Sequence, residues 1–100
     1  MWDKLVCAAE GTHIRVKLKV QRRQVTDLMI QLETFEDEWK GVVRYNYAHG
    51  LPHRDILFRD GKKTKEFLGE QNLNRVAQDA IKDLKENWEW YLRRCGYAKD

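Results

Sequence analysis

The sequence predicts an α+β fold, an antiparallel β-meander of four to five strands packed against one long C-terminal helix. Two periodicities carry this expectation. Ile14, Val16, Leu18 and Val20 alternate with Arg15, Lys17 and Lys19, the period-two pattern of a strand with one buried and one wet face. From Leu73 to Cys95 the period lengthens, so that Leu73, Val76, Ala77, Ala80, Ile81, Leu84, Trp88, Tyr91, Leu92 and Cys95 fall on one helical face. Composition agrees: 100 residues, 42% hydrophobic and 35% charged with one proline, suit an ordered single domain over residues 1–100. A meander with one apolar face and a helix with one apolar stripe bury each other as two layers.

Taken in order, the apolar run Leu5 to Ala9 is cut by Glu10, too soon for a signal-peptide core or a membrane span. Cys7 and Cys95 have neither zinc-site spacing nor the density of a disulfide scaffold, and Cys95 falls on the apolar stripe. The expectation is a cytoplasmic protein with no membrane partner. A basic first hairpin spans about 12–34, turning at Gln21 to Gln24, with Leu28, Ile30 and Leu32 inward against Asp27, Met29, Gln31 and Glu33. An acidic knot, Glu33, Glu36, Asp37 and Glu38, precedes a third strand, in which Trp39, Val43, Tyr45 and Tyr47 oppose Lys40, Val42, Arg44 and Asn46. The motif strand and loop occupy about 39–60, because Gly50 and Pro52 are expected to break regular structure. Asp55 to Arg59 reads as a fourth strand, Asp60-Gly61 as a hairpin signal and Thr64 to Leu68 as a short fifth strand. The helix covers about 73–95, capped by Asn72 or Asn74 and stopped at Gly96 after Arg93 and Arg94.

Nineteen basic against sixteen acidic side chains give a net charge of +3, and their distribution says more than the sum. Between Thr12 and Val25 stand Arg15, Lys17, Lys19, Arg22 and Arg23 with no acid. The sheet face away from the helix should carry Arg15, Lys17 and Lys19 together with Lys40, Arg44 and Arg59. This is either a solvated strand face or a nucleic-acid-binding stripe, with Arg15, Lys17, Lys19, Arg22, Arg23 and Arg44 as phosphate contacts. On the helix, Trp90 lies outside the apolar stripe beside Asp83, Glu86 and Arg94, as an interface anchor or an indole shielded by Asn87 and Arg94.

The concentrated chemistry lies in Tyr45-Asn46-Tyr47-Ala48-His49-Gly50-Leu51-Pro52-His53-Arg54-Asp55. Two imidazoles can serve as base and acid at neutral pH, and a guanidinium can stabilise a phosphorane. His49 and His53 would then cleave RNA without a metal, with Arg54 on the phosphate and Asp55 orienting an imidazole. Two other readings stay open. His49 and His53 can bond local backbone while Arg54 pairs with Asp55 or Asp60 and the tyrosines fill the core edge; or His49, His53 and Asp55 can ligate zinc or manganese. The expectation is no metal and no cofactor. His53-Arg54-Asp55 also spells a kinase tripeptide, but no glycine-rich phosphate loop accompanies it, and there is no Walker loop, nucleophile elbow or dinucleotide fingerprint.

The block Val42-Val43-Arg44-Tyr45, then Ala48-His49-Gly50, His53-Arg54-Asp55, Asp60-Gly61 and the long helix, resembles small uncharacterised bacterial and archaeal proteins with a Tyr-x-x-Ala-His-Gly-x-x-His-Arg-Asp core. Over about residues 40 to 95 it is also loosely similar to TumE-like toxins of toxin–antitoxin modules, departing from them at Asn46, where those proteins usually carry Asp. The resemblance implies an RNA-directed, toxin-like protein, with an antitoxin-like partner or a second copy on the helix. The runner-up is a non-catalytic module that binds nucleic acid or protein.

Overall fold

The chain, described from a computed structural model over residues 2–48 and 50–97, forms one antiparallel sheet and one helix. Its strands are β1 (Trp2–Ala9), β2 (Thr12–Gln21), β3 (Gln24–Glu36), β4 (Glu38–Ala48), β5 (Leu51–Leu57) and β6 (Lys63–Phe67), followed by α1 (Leu73–Cys95). Each strand pairs with its sequence neighbours in the order β1-β2-β3-β4-β5-β6. The class is the expected α+β, but the strand count is six rather than four to five.

The extra strand is β1, which hairpins onto β2 through Glu10-Gly11, with Gly11 left-handed at φ 76°. Trp2 to Leu5 are exposed, so this edge strand shows no in–out alternation for a sequence reading to detect. A second correction concerns β5, which begins at Leu51 rather than Asp55 and turns the expected loop into a strand. Ala48 pairs with Leu51, and Gly50 supplies the left-handed backbone (φ 77°) that so short a connection needs. Pro52 sits next to the start of the strand, where a missing N–H is tolerated, and its ring is fully buried.

The core lies between the helix and one sheet face. Ile14, Val16, Leu28, Ile30, Leu32 and Val43 from the strands meet Val76, Ala77, Ala80 and Leu84 from α1, all buried. Each fully buried Leu, Ile or Val contributes roughly 1.5–3 kcal/mol, so this layer dominates the stability of the fold. Both helix ends follow local rules. Asn72 accepts from the backbone N–H groups of Asn74 and Arg75. At the other end Gly96 is left-handed (φ 89°), its N–H bonding Arg93 O while the N–H of Tyr97 bonds Leu92 O, the paired pattern of a Schellman stop. Cys95 is buried on the stripe, as expected, and Cys7 is exposed. Among the described residues no helix is long and apolar enough to cross a membrane.

A bulge between Leu32 and Glu33 changes the phase of β4, so that Leu32 faces Val43 while Glu33 faces Gly41. Trp39, expected inward with Val43, therefore stands on the opposite face, its ring 4.0 Å from that of His13. Lys40 and Arg59 also leave their expected places. They line a cavity at the C-terminal end of α1 and bond Glu38 and Glu36 respectively.

Candidate functional site

Because side chains alternate along a strand, the motif His53-Arg54-Asp55 is divided between the two faces of the sheet. Arg54 points toward α1. Its Nη1 donates to Tyr91 Oη at 2.8 Å and lies 3.9 Å from Asp83 Oδ2, while Nη2 donates to Glu66 at 3.1 Å. The partners are Asp83 and Glu66, not Asp55 or Asp60. Asp83 Oδ2 also accepts from Tyr45 Oη and Tyr91 Oη, each at 2.6 Å, and its Oδ1 accepts from Asn87 at 2.8 Å.

Both phenols in this knot are held protonated. Burial pushes Tyr91 up first, reinforced by its hydrogen bond to Asp83 and the carboxylate charge, to about 12. Tyr45 is pushed up for the same reasons in the same order. An acid whose folded pKa exceeds its unfolded value of about 10 binds more protons folded than unfolded between the two values. Its contribution is therefore complete below about pH 10 and is lost as pH rises toward 12. In urea titrations stability should decline from about pH 10 upward, and Tyr91→Phe should flatten that decline; an equally steep decline in the variant would contradict the assignment.

The other sheet face, which no element covers among the described residues, carries a polar belt across four strands. His13 on β2 lies opposite Glu33 on β3, and their Nε2 and Oε1 atoms are 2.6 Å apart. Arg15 Nε donates to the same oxygen at 3.3 Å, and Gln31 Nε2 donates to Glu33 Oε2 at 2.5 Å. The Gln31 carbonyl in turn accepts from Arg44 Nε at 2.6 Å. A neutral amide is the side chain that can donate to a carboxylate on one side and accept from a guanidinium on the other. It lies over Gly41, where a Cβ would stand 3.0 Å from the Gln31 amide, so the missing side chain makes room for the bridge. Burial acts to raise the Glu33 carboxyl, but the hydrogen bonds of His13 and Gln31 and the Arg15 charge outweigh it and hold the group below its usual value. A carboxylate only accepts, so His13 carries its proton on Nε2.

His53 and Asp55 continue this face on β5. Both are buried at 3% exposure, with His53 Nδ1 3.2 Å from Leu51 O and Nε2 3.7 Å from Asp55 Oδ2. The backbone bond is the one expected of an architectural imidazole. His49 lies outside the described residues. Among those described, no group of three or more His, Cys, Asp or Glu side chains is placed to hold a metal.

The basic residues keep their expected strand. Arg15 leans on Glu33 and Asp3, whereas among the described residues Lys17, Lys19, Arg22, Arg23 and Arg44 form no ion pair. Arg22 and Arg23 make the whole β2–β3 turn between paired Gln21 and Gln24, and both are left-handed, at φ 51° and 65°. Aromatic rings stand at both ends of the open face: Trp39, with Phe35 edge-on to it at 5.5 Å, and Phe67 beside His53 at 6.1 Å. Trp90 is 55% exposed on the helix, with the Arg94 guanidinium 5.5 Å over its ring.

The sequence alone does not mark His13, Gln31 and Glu33 as members of a site. Their signal is faint: His13 belongs to the outward period of Arg15 and Lys17, and Gln31 and Glu33 to that of Met29. No curated protein and no solved structure matches the chain. A family described as a domain of unknown function, DUF7718, matches residues 4–99, from β1 past the end of α1, and the chain belongs to that family.

Proposed function

We propose that the protein is a nucleic-acid-binding module that holds single-stranded RNA on its open sheet face and on the tip of the β2–β3 hairpin. The observation that carries this reading is the turn itself. Two consecutive non-glycine residues in the left-handed region cost roughly 1–2 kcal/mol each, and hairpins of this length ordinarily use Asn-Gly there. Arginines kept in such a place, without acidic partners, suit a surface that meets phosphates. Lys17 and Lys19 extend the charge along β2, and Trp39 and Phe67 offer rings on which bases can stack. The likeness to TumE-like toxins points to the same class of partner.

Binding rather than cleavage is what these positions support. His53 is enclosed, and Arg54 belongs to the Tyr45–Asp83–Tyr91 knot on the other face.

Counterion release makes the test quantitative. With Lys17, Lys19, Arg22, Arg23 and Arg44 in contact, the logarithm of the affinity for a single strand should fall with the logarithm of salt at a slope of roughly −3 to −4. Between 50 and 200 mM salt that is about a hundredfold loss. Fluorescence anisotropy with labelled single-stranded RNA would measure it, and absence of binding, or an affinity indifferent to salt, would remove the proposal.

A further inference from the structure

The β4–β5–β6 end of the open face contains hydrogen-bond acceptors without donors. Asn46 pairs with His53, Arg44 with Asp55, and on the far side Phe67 pairs with His53 and Lys65 with Asp55. These side chains therefore share one face and one neighbourhood. Asp55 is 3% exposed, yet its Oδ1 is buried with no hydrogen-bond partner, and its Oδ2 is 3.7 Å from His53, beyond hydrogen-bond reach. The Oδ1 of Asn46 is buried without a partner as well. Leu51 O can only accept, so His53 donates from Nδ1. Leaving a buried acceptor unmatched is costly, and a carboxylate is the costliest of these to leave so.

What would match them is a planar ligand with adjacent N–H donors. Guanine presents two such donors side by side, the ring N1–H and the exocyclic amine, in the geometry of a carboxylate. Adenine and cytosine place one amine beside an acceptor, and uracil has one donor between two carbonyls. Phe67 supplies the stacking surface. It is 63% exposed on an edge strand whose every residue is exposed, with its ring 6.1 Å from that of His53. Arg44 and Lys65 flank Asp55 on the neighbouring strands, where the phosphates on either side of a seated base would run. Resting on the RNA-binding reading above, we infer that this cluster of side chains selects guanine, with Asp55 accepting from the base edge and Phe67 stacking on its ring.

The test compares labelled single-stranded octamers of oligo(U) and of alternating U–G, U–A and U–C on the full chain at fixed salt. The U–G octamer should bind about tenfold tighter or more, the discrimination typical of a bidentate base contact. Asp55→Asn should abolish that preference while leaving oligo(U) affinity and its salt slope unchanged. Should that variant not fold, as judged by its thermal midpoint, Phe67→Ala decides. It alters only an exposed ring and should weaken U–G binding more than oligo(U) binding. Equal affinity for all four octamers, a preference for another base, a preference that survives Asp55→Asn, or Phe67→Ala weakening all octamers alike would overturn the inference while RNA binding stands. Failure to bind any octamer would instead sink both.

Discussion

Replacing Arg22-Arg23 by Asn-Gly is expected to raise stability and weaken RNA binding in the same molecule. The stabilisation comes from the backbone, because Asn and Gly accept left-handed angles at far lower cost than arginine does. Relief of about 1–2 kcal/mol in total would raise the midpoint of a chain this size by roughly 4–16 °C. Loss of binding comes from the two guanidinium groups, and the salt slope should become shallower by about one to two. The opposite signs matter, since a variant that is merely damaged loses both properties. A more stable variant with unchanged affinity would take the hairpin tip out of the interface. A less stable one would show that the arginines are not strained in the turn.

Asp83→Ala should produce the largest loss of stability outside the apolar core, about 3 kcal/mol, read as a drop of roughly 12–24 °C in thermal unfolding. The reason is a count of acceptors. Tyr45 and Tyr91 are buried and both donate to Asp83 Oδ2, and Arg54 approaches the same oxygen. Removing the carboxylate leaves two enclosed hydroxyls and part of a guanidinium without it. Asp83→Asn keeps a carbonyl of similar shape and should cost about half as much. Asn87 stays outside this sum, because it is exposed and water can replace its bond. A loss under about 1 kcal/mol for the alanine variant would reduce the knot to a solvated ion pair of the surface kind.

Legibility varied with the kind of signal each element leaves. β2, β3 and α1 could be read because one face of each is buried and the apolar period records it. β1 left no such record, since an edge strand exposed over its first half needs no alternation. Around Gly50 and Pro52 the sequence reads as a break in regular structure. The geometry uses the glycine to turn and the proline to begin a strand, roles that composition does not distinguish. The His13–Glu33 pair depended on register. A hairpin closed at Gln21 and Gln24 without irregularity would put His13 opposite Leu32. The shift between Lys19 and Val20 moves it one residue on, to Glu33. A bulge has no periodic signature, and here two of them decide which side chains meet: this one and that opposite Gly41, which carries Trp39 to the open face. For the same reason Arg54 reads in sequence as a neighbour of His53, whereas in space the two are on opposite sides of a sheet.

The central claim is that RNA lies on the open sheet face, and ultraviolet cross-linking of the full chain to a single-stranded RNA, mapped by mass spectrometry, tests it most directly. Aromatic rings on both faces are exposed enough to react: Phe35, Trp39 and Phe67 with the open face, Trp90 on the helix. The account predicts cross-links at Trp39 and Phe67, suppressed at high salt and reduced in the Asn-Gly turn variant, with Trp90 unmodified. Cross-links confined to Trp90 or elsewhere on α1, with none on the open face, would contradict it.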